Sequence, residues 1–321
     1  MTPDTHFYKA MQTVTARRQK AETAAINANA QALQLLPQLC QLRQKRNEAG
    51  MRASALALDG AYSDAVKEAL ALVEQYSAKE NALLAENGIA PASLTPQYTC
   101  PVCRDTGKAN GKVCTCVLAL AQKLRAEAVN AAFPFPLYSF ATFDVNRYSA
   151  TALPGMGKSA REQMQAVLTL CQSYANEFDM DNGSLFFYGS AGVGKTHLAL
   201  SIAGAVRQKG FVVVYASAQS VFADMEKEKF GQGGTSLQAL LDAQLLVLDD
   251  LGTEYITPYV ASCLYNIVNT RSVQHLPTVY TSNIVSAQDL ARRYTEKVAS
   301  RLLGECDRLY CVGEDMRLQA E

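Results

Sequence analysis

Between Ser184 and His197 the chain reads SLFFYGSAGVGKTH, and this stretch narrows the fold more than any other. Leu185, Phe186, Phe187 and Tyr188 form an apolar run of strand length. Gly189, Ser190, Ala191, Gly192, Val193, Gly194, Lys195 and Thr196 follow as G-x-x-x-x-G-K-T. From His197 a periodic run reads as a helix, with Gly210 placed to end it. Strand, glycine loop and helix in that order is the setting of a phosphate-binding P-loop. Glycines let backbone N–H groups curl around a polyphosphate, and the helix N-terminus adds favourable partial charge. The spacing predicts that ATP or GTP is held by residues 189–197, with Lys195 at the β- and γ-phosphates and the Thr196 hydroxyl on Mg²⁺. A glycine-rich turn that matched by accident would lack the flanking strand and helix.

A chain of 321 residues has room for two or three domains. No run of about 18 apolar residues occurs, so no membrane span is expected. The N-terminal MTPDTHFYKAMQTVTARRQK has no apolar signal-peptide core, which makes a cytoplasmic location the expectation. The net charge is zero but uneven. Residues 1–95 carry ten Lys/Arg against nine Asp/Glu, residues 96–160 seven against three, and residues 161–321 thirteen against eighteen. That argues against coating nucleic acid by bulk charge, so any such contact must be local or built by assembling copies.

Residues 7–58 are rich in Ala, Gln, Leu and Arg and read as one or two long helices, with Pro37 as a possible break. Asp59-Gly60 reads as a turn and Ser63 as the cap of a further helix to Asn87, with Gly88 as its terminator and Pro91 beyond. Val66, Leu70, Val73, Tyr76, Leu83 and Leu84 fall near one face of it. A helical hairpin of this kind serves either to dock a partner or to pack and oligomerise; both readings stand.

Cys100, Cys103, Cys114 and Cys116 then fall within 17 residues as C-x₂-C and C-x-C around a loop containing Gly107 and Gly111. Four thiolates at this spacing match a closed, structural Zn²⁺ site. Redox chemistry or four unligated structural cysteines are the alternatives, and a reducing compartment disfavours disulfides. The other five cysteines sit in apolar contexts and read as small buried residues.

Gly155-Met-Gly157-Lys158-Ser159 imitates the end of a second P-loop. No strand precedes it, and Ser159 instead begins Ser-x-x-Glu162 before an apolar periodic run, which is a capping box. Beyond the P-loop helix, FVVVY (211–215), QLLVLDD (244–250), TVYTSN (278–283) and RLYCV (308–312) read as strands. Two short helices over 217–243 surround Gly231-Gln-Gly-Gly234. An apolar strand ending in Asp249-Asp250 is the Walker B pattern: Asp249 holds Mg²⁺ directly or through water, and Asp250 polarises the attacking water. Thr257 caps and Pro258 opens the next helix. Five strands separated by helices predict a three-layer α/β fold around a parallel sheet, with Gly192, Asp249 and Asn283 at the C-terminal strand ends.

The motifs GSAGVGKTHLA, LLVLDDLGTE, Thr281-Ser-Asn283, EKVASRLL and Gly313-Glu-Asp-Met-Arg317 resemble those of the DnaC/DnaI-type replicative helicase loaders, a branch of the AAA+ ATPases. The resemblance covers roughly residues 95–321, with the cysteine segment similar to a cluster found before the ATPase core of such loaders. It implies domains at 1–95 (helical, partner-binding), 96–120 (zinc-binding), 121–158 (linker and approach to the nucleotide pocket) and 159–321 (AAA+ ATPase). It implies that Asn283 acts as sensor 1, that Arg301 reaches the γ-phosphate of a neighbouring subunit, that Arg317 is a sensor-2-like arginine, and that Phe143 packs near the base. The implied activity is Mg-ATP hydrolysis in loading a hexameric DnaB-type helicase onto single-stranded DNA in DNA replication. The helicase would dock on the N-terminal region and the ATPase domain would self-associate. Lys227, Lys229 and Phe230 are candidate DNA contacts. Unlike many AAA+ proteins, the sequence is expected to carry no helical lid after the fifth strand.

Three other readings remain open. An IstB-like transposition helper would use a very similar core on duplex target DNA with a transposase; the cysteine cluster favours the loader. A small-molecule P-loop kinase is opposed by Asp249-Asp250, Asn283 and Arg301. A zinc adaptor that binds nucleotide without turnover is opposed by Asp250.

Overall fold

The computed structural model describes residues 4–58, 64–132, 138–229 and 236–318. The chain divides into two units: residues 7–118, and residues 119–321 together with the first six. The expected turn at Asp59-Gly60, the Ser63 cap, Phe230 and the 231–234 glycine run lie outside the described residues.

The first unit holds α1 (Thr5–Leu35, from residue 7 on), α2 (Pro37–Leu58) and α3 (Asp64–Glu86). The break falls at Leu36, and Pro37 opens α2, where its missing N–H costs nothing. Helix α3 ends at Gly88, whose φ of +70° is the left-handed value a helix terminator needs. Helices α2 and α3 pack along each other. Ala32, Leu39, Leu84 and Leu94 are buried together. The apolar face expected on α3 is realised only in part. Val66 and Leu84 are buried, but Leu70 is exposed and Glu80 is buried in its place. Glu80 survives there because Arg43 and Arg46 bond its two carboxylate oxygens, at 2.8 and 2.5 Å. In the cysteine segment, β1 (Lys108–Ala109) and β2 (Lys112–Val113) pair across Asn110-Gly111, both with positive φ. That is the two-residue turn whose twist suits a hairpin.

The second unit takes in most of α4 (Thr115–Ala132), then α5 (Ala160–Asn176), β3 (Ser184–Tyr188), α6 (Lys195–Gln208), β4 (Val213–Ser217), α7 (Ala218–Lys229) and α8 (Ser236–Asp242). After these come β5 (Leu245–Leu251), α9 (Pro258–Val273), β6 (Thr278–Ser282), α10 (Ala287–Tyr294), α11 (Glu296–Gly304) and β7 (Cys306–Tyr310). The five long strands form one parallel sheet in the order β4-β5-β6-β3-β7. Strand β3 alternates between two cores. Leu185 and Phe187 pack on the face covered by α5 and α6, and Phe186 on the face covered by α7 to α11. This is the predicted three-layer architecture.

Ser159 caps α5 with both bonds of the capping box formed, so the Gly155–Ser159 stretch is a helix entrance and not a second phosphate loop. Thr257 accepts the Val260 N–H at 3.2 Å and Pro258 opens α9, as expected. Of the segment 121–158, Ala126 and Val129 pack under the sheet on one face, and Phe143 and Tyr148 on the other. Among the described residues no helix is long and apolar enough to cross a membrane.

Candidate nucleotide site

The loop after β3 lies where that strand is flanked by β6 and β7 and where α6 begins. Two of its glycines are forced by geometry. A side chain at Gly189 would meet the Cys311 carbonyl oxygen at 2.0 Å. Gly194 sits at the N-cap of α6 with φ +88°, where a Cβ would meet the Tyr148 hydroxyl and the Phe143 ring at 2.7 and 2.8 Å. Such positions admit only a residue without Cβ.

The cleft beside the loop has a volume of about 580 Å³. Gly192, Lys195, Thr196, Asp250, Asn283 and Arg317 all line it, with Tyr138, Arg147, Ala191, Gly194, His197 and Met316. Lys195 is buried, and its ammonium donates to the carbonyls of Gly189 and Ser190 at 2.8 and 2.6 Å and to Asn283 Oδ1 at 2.7 Å. Burial pulls its ionisation down, while nearby acids, Asp250 and Asp249 among them, oppose that. Asp249 is buried at the end of β5. Its Oδ1 accepts Thr196 Oγ1 at 3.0 Å and Thr281 Oγ1 at 2.6 Å, and its Oδ2 accepts the Tyr215 hydroxyl at 3.1 Å. Burial pushes its carboxyl up, and these hydroxyls pull it back. Thr196 and Asp249 thus present two hard oxygen ligands side by side, the donor set that suits Mg²⁺. Ser190 and Val193 belong to the same loop, with Val193 buried beneath it.

Phe143 does not line the cleft. It is buried, its ring 5.8 Å from Tyr148 and 5.2 Å from His197, and it supports the loop from beneath. Tyr138 holds the exposed position instead, its ring 4.6 Å from that of His197. Arg317 lies in the cleft but its guanidinium is held by both oxygens of Asp315, at 2.9 and 2.8 Å. Arg317 holds the Asp315 carboxyl down at about 2. The segment is fixed over the loop by Met316 N–H to the Gly192 carbonyl at 3.1 Å and Arg147 to the Met316 carbonyl at 2.6 Å.

Arg301 is not brought into this cleft. It lies at the far end of the sheet, in a groove lined also by Ser184, Leu276 and Cys306. There it donates to Ser272, Glu305 and Asn269, each at 2.8 Å. Lys227 is exposed and pairs with Asp224 at 3.6 Å; the side chains of Lys229 and Phe230 lie outside the described residues.

In the first unit, the sulfurs of Cys100, Cys103, Cys114 and Cys116 all lie within 4.8 Å of one another. Cys100 and Cys114 are 3.9 Å apart, and Cys103 and Cys116 3.6 Å. Zinc–sulfur bonds of about 2.3 Å in a tetrahedron put sulfurs about 3.8 Å apart, so the set fits zinc. Asp105, buried at φ +56°, accepts the Thr99 and Cys100 N–H groups at 2.7 and 2.9 Å and fixes the first knuckle.

Reading the sequence gave no role of their own to Thr281, Tyr215, Tyr138, Arg147 or Asp315, although Thr281 and Asp315 stand in the motifs quoted above. The first two stand in strands as ordinary β-formers. Only the pairing of β4 and β6 beside β5 brings their hydroxyls to Asp249.

Residues 162–321 match the family described as IstB-like ATP binding protein. Over 144 residues the chain is 31% identical to the replicative helicase loader DnaC of Escherichia coli (strain K12), covering 44% of this chain and 58% of that one. Over 101 residues it is 27% identical to the insertion sequence IS5376 putative ATP-binding protein of Geobacillus stearothermophilus, 31% of this chain and 40% of that one. The chain spans about half the length of these relatives. A solved structure described as the DnaC helicase loader superposes with a TM-score of 0.45 at 23% identity, covering 54% of this chain and 98% of that one.

Proposed function

Residues 162–321 match the family of IstB-like ATP binding proteins, and from that match we propose that the chain is a cytoplasmic Mg-ATP-dependent ATPase that helps load a hexameric replicative helicase onto single-stranded DNA. The observation that carries the ATPase reading is the convergence of Lys195, Asp250 and Asn283 on one cleft, with Asp249 beside Thr196. The loop N–H groups and Lys195 bind the phosphates. Thr196 and Asp249 would hold Mg²⁺, which would supply charge neutralisation at the transferring phosphate. Asp250 and Asn283 orient and polarise the attacking water. Arg317 closes on the nucleotide after exchanging Asp315 for phosphate. Arg301 serves the site of a neighbouring copy, which agrees with its place far from its own cleft. The helicase-loading reading follows the 31% identity to a replicative helicase loader over much of this core. The four-cysteine cluster holds Zn²⁺ and shapes the segment after the helices, which dock the helicase.

The experiment is ATP hydrolysis by wild type and Arg301→Ala, with and without single-stranded DNA, across protein concentration, joined to a pull-down against a replicative helicase. Turnover is expected to rise with DNA and with concentration, and Arg301→Ala to remove that rise while nucleotide binding persists. Turnover independent of all three sinks the assembly reading. Capture of a transposase and duplex DNA in place of the helicase transfers the chain to the transposition-helper reading, which the insertion-sequence relative favours.

A further inference from the structure

Strand β5 does not end as a regular strand. Its register with β6 shifts between Leu248 and Leu251, and Asp250 within that shift has φ +56°. A non-glycine residue holds a left-handed conformation only where its surroundings over-determine it. Here the surroundings converge on one atom. Thr281, on β6, is fully buried. Its hydroxyl oxygen accepts the Asp250 N–H at 2.8 Å and donates to Asp249 Oδ1 at 2.6 Å. A hydroxyl has one proton and two lone pairs, so both bonds are made at once. The neighbouring Ser282 completes the kink by donating to the Leu251 carbonyl at 2.6 Å.

We propose that Thr281 is a positioning residue that sets both acids of the nucleotide site: the side chain of Asp249 directly, and that of Asp250 through its backbone. The inference rests on the roles given above to Asp249 and Asp250. It asks for a hydroxyl at this position and not merely for a β-branched strand former. Valine would fill the same space and make neither bond, leaving the Asp250 N–H unpaired at the bend. The phosphate-holding loop and Lys195 make no bond to Thr281, and Asp249 keeps its bonds from Thr196 and Tyr215, so the loss acts mainly on the chemical step.

The test is steady-state ATP hydrolysis by the full chain carrying Thr281→Val, Thr281→Ser or Asp250→Asn, with thermal melting of each. Thr281→Val is expected to lower kcat about 10- to 100-fold, the upper figure being the cost of displacing a catalytic group by about 1 Å. The KM for ATP should stay within about threefold, since binding made equally in ground and transition states is untouched. Thr281→Ser restores the hydroxyl and is expected to recover most of the rate. If Thr281→Val does not fold, Thr281→Ala is compared with Thr281→Ser, since these differ by the hydroxyl oxygen alone. The inference is overturned by wild-type kcat in the hydroxyl-free variant while Asp250→Asn is inactive. It is overturned equally by a loss confined to KM, or by a folded Thr281→Ser as slow as the hydroxyl-free variant. Wild-type hydrolysis by Asp250→Asn overturns the proposed role of Asp250 instead.

Discussion

Arg271 is wholly buried in α9, and among the described residues no carboxylate bonds it. Its guanidinium donates instead to the carbonyls of Leu240, Ala243 and Pro277 at 2.8, 2.8 and 2.7 Å, and to Thr278 Oγ1 at 2.8 Å. It thereby joins the end of α8, the turn into β5 and the start of β6. Burial pulls its ionisation down to about 10, so the charge persists at neutral pH. Arg271→Leu strands three carbonyls away from water and is expected to cost about 3–5 kcal/mol, read by urea unfolding. Arg271→Lys should not rescue it, because an ammonium cannot reach the same fan of acceptors. An unchanged unfolding midpoint in Arg271→Leu would dismiss the clasp as incidental. Residues of this sort mark the limit of reading sequence. In NTRSV nothing local distinguishes this arginine from a solvated one near a helix end, and only the tertiary placement of three carbonyls and a hydroxyl makes it a core residue. The phosphate loop was legible because its chemistry is local: glycine positions, lysine and threonine are fixed by their own spacing. Phe143 shows the converse. Its place near the base was implied by the resemblance alone, and whether it faces the cleft or the loop's underside depends on how residues 138–148 fold against α6.

Elements were legible where a local cap or terminator set them. Ser159, Thr257 and Gly88 sit where their helices begin or end because a side-chain bond or a positive φ is decided within a few residues. Strand ends were less so: β7 runs Cys306–Tyr310, earlier than its apolar residues suggest, because β3 supplies partners from Ser184 onward. The cysteine segment was legible as a cluster because the two short spacings and the glycines close it locally. The prediction at this scale is metal dependence of that segment. Purified protein is expected to carry zinc in a one-to-one ratio by elemental analysis, and Cys103→Ser to lose it. Limited proteolysis should then cut within 96–118 while ATP binding by the second unit persists. Retention of zinc in Cys103→Ser, or unchanged proteolysis after chelation, would show that the four sulfurs are not a structural metal site.

At the scale of the whole chain, alternation of strand and helix announced a parallel sheet, but it did not announce its order. β6 is inserted between β5 and β3, so the strand that leads into Asn283 stands between the phosphate loop and the two acids. Such crossovers are tertiary and leave no mark on local pattern. Nor did composition reveal that Ala126, Val129, Phe143 and Tyr148 are packed into the second unit's two cores. The consequence can be tested. Every residue that lines the cleft, from Tyr138 to Arg317, lies within 119–321. Arg125, which bonds Asp4 at 2.7 Å, also bonds Asp242 at 2.5 Å, so a fragment of 119–321 keeps one of the two carboxylates. That fragment is expected to bind ATP within about threefold of the full chain, since no phosphate contact is removed. If the helices of residues 7–118 dock the helicase, the fragment should fail to capture it, and adding residues 7–118 as a separate chain should compete with the full protein for it. Capture by the fragment alone would move the docking surface onto the ATPase body. A fragment that folds but no longer binds ATP would mean that the nucleotide site needs a residue from the first unit, which nothing in the geometry of the cleft requires.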